Sequence, residues 1–346
     1  MQYRNLGNTD IEVSAIALGT MTWGEQNSEA EAHAQLECAL DRGVNFVDTA
    51  ELYPSPPHGD SYGRTEAILG NWLAKPGNRE RIVLASKIAG PGEWVAHIRD
   101  GKTRFDRDYL RQALDASLKR LRTDYLDLYQ LHWPERQTNY FGRLGYEYQE
   151  PDRFTPIGET LEVLGELVAE GRIRHVGLSN ETPWGVMSFL RAAEHAGLPR
   201  TVSVQNPYSL LNRSFEVGLA EVAVRERAGL LAYSPLGFGV LAGKYLRDAR
   251  PEGARITRWP HYDRYMNPQA QAATGKYVEL ARRHGLDPAQ MALAYVNTRP
   301  FVTANIIGAT TLDQLRSNID SIDVELSSEL IDGIEAIHVE QPNPAP

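Results

Sequence analysis

Eight short apolar runs recur along the chain, separated by stretches of helical periodicity. This alternation narrows the possible folds more than any other feature. The runs cover residues 14–18, 45–48, 82–87, 125–132, 175–179, 201–205, 229–233 and 303–307. Most are four to eight residues long and rich in aliphatic or β-branched side chains. Parallel strands read this way because helices cover their outer face and neither face meets water.

The stretches between the runs carry helix signals. Ser28-Glu29-Ala30-Glu31 is a capping box, followed by Ala32, Leu36, Ala39 and Leu40 on one face and Gly43 as a stop. Leu110, Leu114, Ser117, Leu118 and Leu121 repeat the pattern, as do Leu161, Leu164 and Val168. The latter helix is predicted to start through Thr155-Pro156 and end at Gly171. Thr182-Pro183 and Asp287-Pro288 are two further cap-then-proline starts.

Eight strands each followed by a helix make a (β/α)8 TIM barrel, an α/β fold. A doubly wound sheet has the same strand pattern, since the count alone does not show closure. The segment before the first run reads as a β-hairpin turning at Asn8-Thr9-Asp10, placed to cap the barrel bottom. At roughly 150 residues per domain the length suggests two domains. The strand count instead reads 1–346 as a single barrel domain with long βα loops after strands 3, 4 and 7. These loops cover 90–104, 133–154 and 246–268, and the second carries Trp133, Tyr140, Phe141, Tyr146 and Tyr148. Aromatic residues there either line a substrate pocket or pack on one another as a surface loop.

Polar residues stand at the carboxyl ends of strand after strand: Asp48, Lys87, His132, Asn180, Gln205, Tyr233 and Thr310. Any one of them has an ordinary structural explanation, as a cap, a solvated lysine or a satisfied core histidine. A whole set in register at one barrel mouth implies a task, because buried polar groups are costly unless paired. Asp48 and Tyr53 lie five residues apart, and Lys87 comes from the next strand. An Asp48–Lys87 ion pair beside Tyr53 would favour the tyrosinate and lower the phenol pKa from about 10. Such a phenol can give a proton to a developing alkoxide, with His132 orienting the carbonyl. The set suits carbonyl reduction but holds no hydride source, so a nicotinamide or flavin is implied.

The loop after strand 7 is a glycine-bearing candidate for a pyrophosphate: Ser234, Pro235, Leu236, Gly237, Phe238, Gly239, Val240, Leu241, Ala242, Gly243 and Lys244, with free backbone N–H groups and one lysine. Its glycine spacing is not that of the Rossmann fingerprint. Gly308, Thr310 and Gln314 stand where strand 8 passes into a helix, another natural anion site. Thr311 with Gln314 equally fits a capping box that needs no ligand.

Composition removes several partner classes. With 36 Lys and Arg against 45 Asp and Glu, the net charge of −9 argues against nucleic acid or an anionic membrane as a partner. No apolar run approaches the ~20 residues of a membrane span, and no secretory signal is evident at the N-terminus. One cysteine, Cys38, permits no internal disulfide and fits a reducing, cytoplasmic setting. The sequence has no H-E-x-x-H, C-x-x-C or G-x-S-x-G. The single cysteine leaves no thiolate-rich metal site; a small-molecule carbonyl substrate fits what remains, with monomer or homo-oligomer both open.

The segments DTAELY, ASK, LHWP, GLSN, SVQNPYS, AYSPLGFGVLAGKY and IIGATTLDQLRSNI together resemble the aldo-keto reductase superfamily over essentially the whole chain. GTMTWGEQNSEAEAHAQL, NPYSLLNRSFEVGLAEV and HGLDPAQMALA are similar to its bacterial Tas-type members. The resemblance implies a (β/α)8 barrel, NADPH/NADP+ as cofactor, no metal, and a tetrad on Asp48, Tyr53, Lys87 and His132, with Tyr53 as general acid. It further implies that Tyr233 stacks on the nicotinamide and that Asn180, beside Ser179, hydrogen-bonds the carboxamide together with Gln205. Residues 234–244 would wrap the pyrophosphate, and Thr310, Gln314 and Asn318 would hold the adenosine half. Arg255 is the candidate for the 2′-phosphate, and Thr20, Met21 and Gln26 for contacts from the first loop. Pro54 departs from the family pattern, where glycine commonly follows the tyrosine. Two rivals of other classes are a cofactor-binding regulatory or redox-sensing subunit with vestigial turnover, and a Schiff-base aldolase acting through Lys87.

Overall fold

A computed structural model describes residues 1–346. Two short strands, β1 (Tyr3–Asn5) and β2 (Glu12–Ser14), pair antiparallel as a hairpin. Eight parallel strands follow: β3 (Ile16–Gly19), β4 (Phe46–Asp48), β5 (Val83–Ile88), β6 (Leu126–Leu131), β7 (Ile173–Ser179), β8 (Thr201–Pro207), β9 (Gly229–Tyr233) and β10 (Val302–Ile307). They hydrogen-bond in sequence order, and β10 pairs with both β9 and β3. The sheet is therefore a closed barrel, which excludes the doubly wound alternative.

The helices are α1 (Glu29–Asp41), α2 (Arg64–Leu73), α3 (Arg107–Leu121), α4 (Ile157–Ala169), α5 (Pro183–Ala196), α6 (Phe215–Arg225), α7 (Arg255–Arg258), α8 (Pro268–Arg283), α9 (Pro288–Asn297), α10 (Leu312–Asp320) and α11 (Ser328–Glu340). Most cap signals act as read. Ser28 accepts from the Glu31 amide in a complete capping box, and Thr182 and Asp287 accept from Gly185 and Gln290. One differs: α4 is preceded by Pro156, and the Thr155 amide donates to Glu135 instead of its hydroxyl capping the helix. A carboxylate from the start of the same long loop takes both the amide and the hydroxyl of Thr155. The loop after β9 also differs from a plain insertion, since it contains α7 and several 3-10 turns.

The barrel interior is filled by Ala17, Phe46, Ala85, Leu128, Leu231 and Ala304, joined from below by Leu6 and Val13 of the hairpin. Leu6 and Val13 are wholly buried, so the hairpin closes the bottom. Gly7 is required in its turn: it has φ +62°, and a Cβ there would lie 2.3 Å from the Val202 carbonyl oxygen. With the bottom sealed, the carboxyl ends of the strands form the accessible mouth. No helix is long and apolar enough to cross a membrane.

Candidate active site

The end of β4 turns directly into the segment that carries Tyr53. Asp48 is the last residue of β4, and Lys87 sits near the end of the adjacent β5. The Lys87 ammonium donates to Asp48 Oδ2 at 2.6 Å, to the Thr49 carbonyl at 2.8 Å and to the Tyr53 hydroxyl at 3.3 Å. Lys87 is completely buried, so these three acceptors replace its water. His132, just past β6, packs edge-on against the Tyr53 ring with centroids 5.8 Å apart. Its Nδ1 is buried without a hydrogen-bond partner. The structure thus brings together Asp48, Tyr53, Lys87 and His132, the four residues expected as the tetrad.

Electrostatics sharpen the assignment and correct one expectation. Burial pushes the Tyr53 phenol above its ordinary value, and this outweighs the opposing charge of Lys87. The phenol therefore stays protonated through neutral pH, rather than being drawn toward the tyrosinate. Burial also opposes the charge on Lys87, but Asp48 and then Tyr53 more than offset it, and the ammonium is held above its ordinary range. Burial, reinforced by Lys87, drives His132 well below its ordinary value, so the imidazole is neutral.

Residues meant for the nicotinamide end are engaged by the protein itself. Gln205 donates to Asp48 Oδ1 at 2.8 Å and to Gln130 Oε1 at 3.1 Å. Asn180, at φ +54°, donates to the His132 carbonyl at 2.9 Å and accepts from the Tyr233 hydroxyl at 2.7 Å. Ser179 donates to the Gln205 carbonyl. Thr20 donates to the Asp48 carbonyl at 2.9 Å, which makes it a support for the carboxylate's backbone. Met21 packs against the apolar cluster that includes Tyr53, and Gln26 reaches the Gly253 carbonyl in the loop after β9.

That loop is a run of left-handed backbone. Ser234, Gly237, Phe238, Gly239 and Gly243 all have positive φ. Its amides are less available than expected, because those of Gly237, Gly239, Leu241 and Gly243 already donate to carbonyls within the loop. Two cations meet over it: Arg255 lies 5.2 Å from the Phe238 ring centroid, and its charge adds to burial in depressing the Lys244 ammonium. Burial lowers Arg255 as well, and the groups facing it are Tyr262, Tyr245 and Tyr53, not carboxylates. Neither cation has a carboxylate partner, so an anionic group of a ligand would compensate both. At α10, Thr311 accepts from the Gln314 amide, while Gln314 accepts from Thr310, so the box is displaced by one residue and occupies part of this helix start. Asn318 donates to the Gly308 carbonyl, and Gly308 itself is open to solvent.

The aromatic loop divides. Trp133, Tyr140 and Phe141 pack together, and Trp133 reaches His132 at 5.0 Å. Trp94, from the loop after β5, stacks on Trp133 at 4.9 Å. Tyr146 and Tyr148 point to solvent. Across the mouth, the Ser55 and Tyr262 hydroxyls are 2.6 Å apart and join the loops after β4 and β9. Sequence reasoning missed Gln130, which donates to Asp48 Oδ1 at 3.1 Å. A polar side chain two residues before His132 was the available signal, because such a position faces the barrel interior. It also missed Glu51, a wholly buried carboxylate within the DTAELY segment.

A closed barrel with a buried lysine linking a carboxylate to a phenol defines a class, and comparison with known proteins agrees. The model of the Aldo/keto reductase family matches residues 15–339, and the chain belongs to that family. It is therefore an oxidoreductase. Among its relatives, Protein tas of Escherichia coli is 53% identical over the full length of both chains. An uncharacterized oxidoreductase of Bacillus subtilis, YrpG, is 33% identical over 96% of this chain and 94% of its own. The norsolorinic acid reductase stcV of Emericella nidulans is 32% identical over 94% of this chain and 78% of its own.

Proposed function

We propose that this chain is an NADPH-dependent reductase converting an aldehyde or ketone to the alcohol, and that residues 1–346 act as a single domain. The observation that carries this reading is the Lys87 ammonium shared between Asp48 and the Tyr53 hydroxyl, beside a neutral His132. NADPH fits the two cations that lack a carboxylate partner: Lys244 would hold the pyrophosphate with the loop 234–244, and Arg255 the 2′-phosphate. Tyr233, Asn180 and Gln205 would flank the nicotinamide, and Gly308, Thr310, Gln314 and Asn318 the adenosine half. The bound nicotinamide supplies the hydride.

The rest of the chemistry belongs to the chain. The phenol of Tyr53 stays protonated at neutral pH and donates its proton to the carbonyl oxygen as negative charge develops there. Lys87 stabilises the tyrosinate that remains, because its proton is held by Asp48. His132 is neutral and buried, which allows it to hydrogen-bond the same oxygen without competing as an acid. The raised Lys87 also weighs against the aldolase rival, since a protonated amine cannot attack a carbonyl.

The test is an NADPH-oxidation screen across aldehydes, ketones and quinones, run beside Tyr53→Phe. Steady turnover that disappears in the variant is the expected result. Slow single-turnover oxidation, with no carbonyl turned over, would favour the regulatory subunit instead. Borohydride trapping of substrate on Lys87 would sink the reductase reading.

A further inference from the structure

Glu51 lies two residues before Tyr53 and is wholly buried. Its carboxylate accepts from four donors. Both terminal nitrogens of Arg99 reach it in a bidentate pair, the Tyr62 hydroxyl donates at 2.9 Å, and the Ala89 amide donates at 2.7 Å. The Glu51 amide in turn donates to the Lys87 carbonyl at 3.2 Å. The segment that presents Tyr53 is therefore tied to the end of β5 through both backbone and side chain.

Arg99 belongs to the long loop after β5. Its backbone is strained there: Arg99 and Asp100 have φ +46° and +52°, values that non-glycine residues rarely adopt. The bidentate pair supplies a reason for the strain to persist. The same loop carries Trp94, which stacks on Trp133, and Trp133 donates to the Pro91 carbonyl. One ion pair thus links the loop carrying the proposed acid to the loop after β5, which in turn packs on Trp133, the neighbour of His132. None of the steps proposed for Asp48, Tyr53, Lys87 and His132 uses it.

We propose that Glu51 and Arg99 are positioning residues that hold the Tyr53 hydroxyl at its working distance from Lys87 and keep the loop after β5 against the aromatic wall. This rests on the reading of Tyr53 as the acid. A small displacement of a reacting group costs rate far more than it costs binding. The pair therefore acts on kcat and leaves the remote cofactor contacts alone.

Two variants test it. Arg99→Lys keeps the charge but loses the planar fork. Glu51→Gln with Arg99→Met removes both charges and leaves no unpaired ion if the single variant fails to fold. Three quantities are measured: kcat and KM for a carbonyl substrate, the NADPH dissociation constant, and the 13Cζ resonance of Tyr53 in labelled protein, assigned with Tyr53→Phe. Expected are a fall in kcat of about tenfold or more, an NADPH dissociation constant little changed, and a shifted Tyr53 resonance with a displaced titration midpoint. An unmoved Tyr53 resonance with kcat near the parent value, even at a lower melting temperature, overturns the proposal. The resonance needs no turnover. A parent chain that reduces no carbonyl would defeat the functional reading, while the Tyr53 signal would still decide whether this pair positions it.

Discussion

The Lys87 ammonium stands 3.3 Å from the Tyr53 hydroxyl and donates to it. A lysine with no exposed surface, anchored on Asp48, thus touches a phenol that burial keeps protonated. The contact orders the two protons. Lys87 keeps its own, and the Tyr53 proton is the one that can leave when an acceptor arrives.

Tyr53→Phe removes that proton without changing the ring's packing on His132. Carbonyl reduction should fall by about 10²–10⁴, the usual share of general acid catalysis. The NADPH dissociation constant, followed by fluorescence titration, should stay nearly unchanged. Because the folded phenol lies above its ordinary value, parent activity should persist through neutral pH and decline only in alkali. Full activity in the variant would remove Tyr53 from the role.

Lys87→Met leaves Asp48 buried without its cation. Breaking a buried pair in this way costs about 3–5 kcal/mol, while removing both charges costs far less. Asp48→Asn combined with Lys87→Met should therefore be more stable than Lys87→Met alone in denaturant melts. Gln130 and Gln205 remain to bond the new amide. Additive losses would show that the pair carries no coupling.

His132 sets an acid limit on stability. Its folded pKa is depressed below the ordinary 6.5 by burial and then by Lys87. The unfolded chain binds a proton there before the folded chain does, so this contribution is present above about pH 6.5 and is lost as pH falls below it. His132→Gln should make the melting temperature less sensitive to pH between about 6.5 and 5. An unchanged slope over that range would place the acid sensitivity elsewhere.

Arg255→Ala tests the cofactor phosphate. Loss of a charged hydrogen bond should weaken NADPH by about 1.5–3 kcal/mol and NADH much less. Isothermal titration with both nucleotides measures the difference. Equal losses would take Arg255 away from the 2′-phosphate. They would leave it a cation stacked on Phe238.

Much of the site was legible because strand ends are local features. Asp48, Lys87 and His132 interrupt or terminate apolar runs, and a polar residue at that place is conspicuous. The pairing Ser28–Glu31 was legible for the same reason, since capping partners are three residues apart. Thr155 was misread because the group that engages it, Glu135, lies twenty residues away and is invisible to a local pattern. The pKa of Tyr53 was misjudged because sequence shows a neighbouring charge but not the degree of burial, and burial dominates here.

The sequence by itself determined the eight strands, the hairpin, the strand-end residues and the kinship of the chain. Periodicity and short motifs carry that information without any distance. Tertiary structure alone decided that the sheet closes, that Gln205 and Gln130 turn inward onto Asp48, and that Glu51 clamps Arg99 from 48 residues away. Gln205 on β8 reaches Asp48 on β4 across the barrel only because the sheet closes, while Glu51 meets Arg99 because β4 and β5 pair side by side. A buried group then takes the nearest partner that can satisfy it, whatever the separation along the chain.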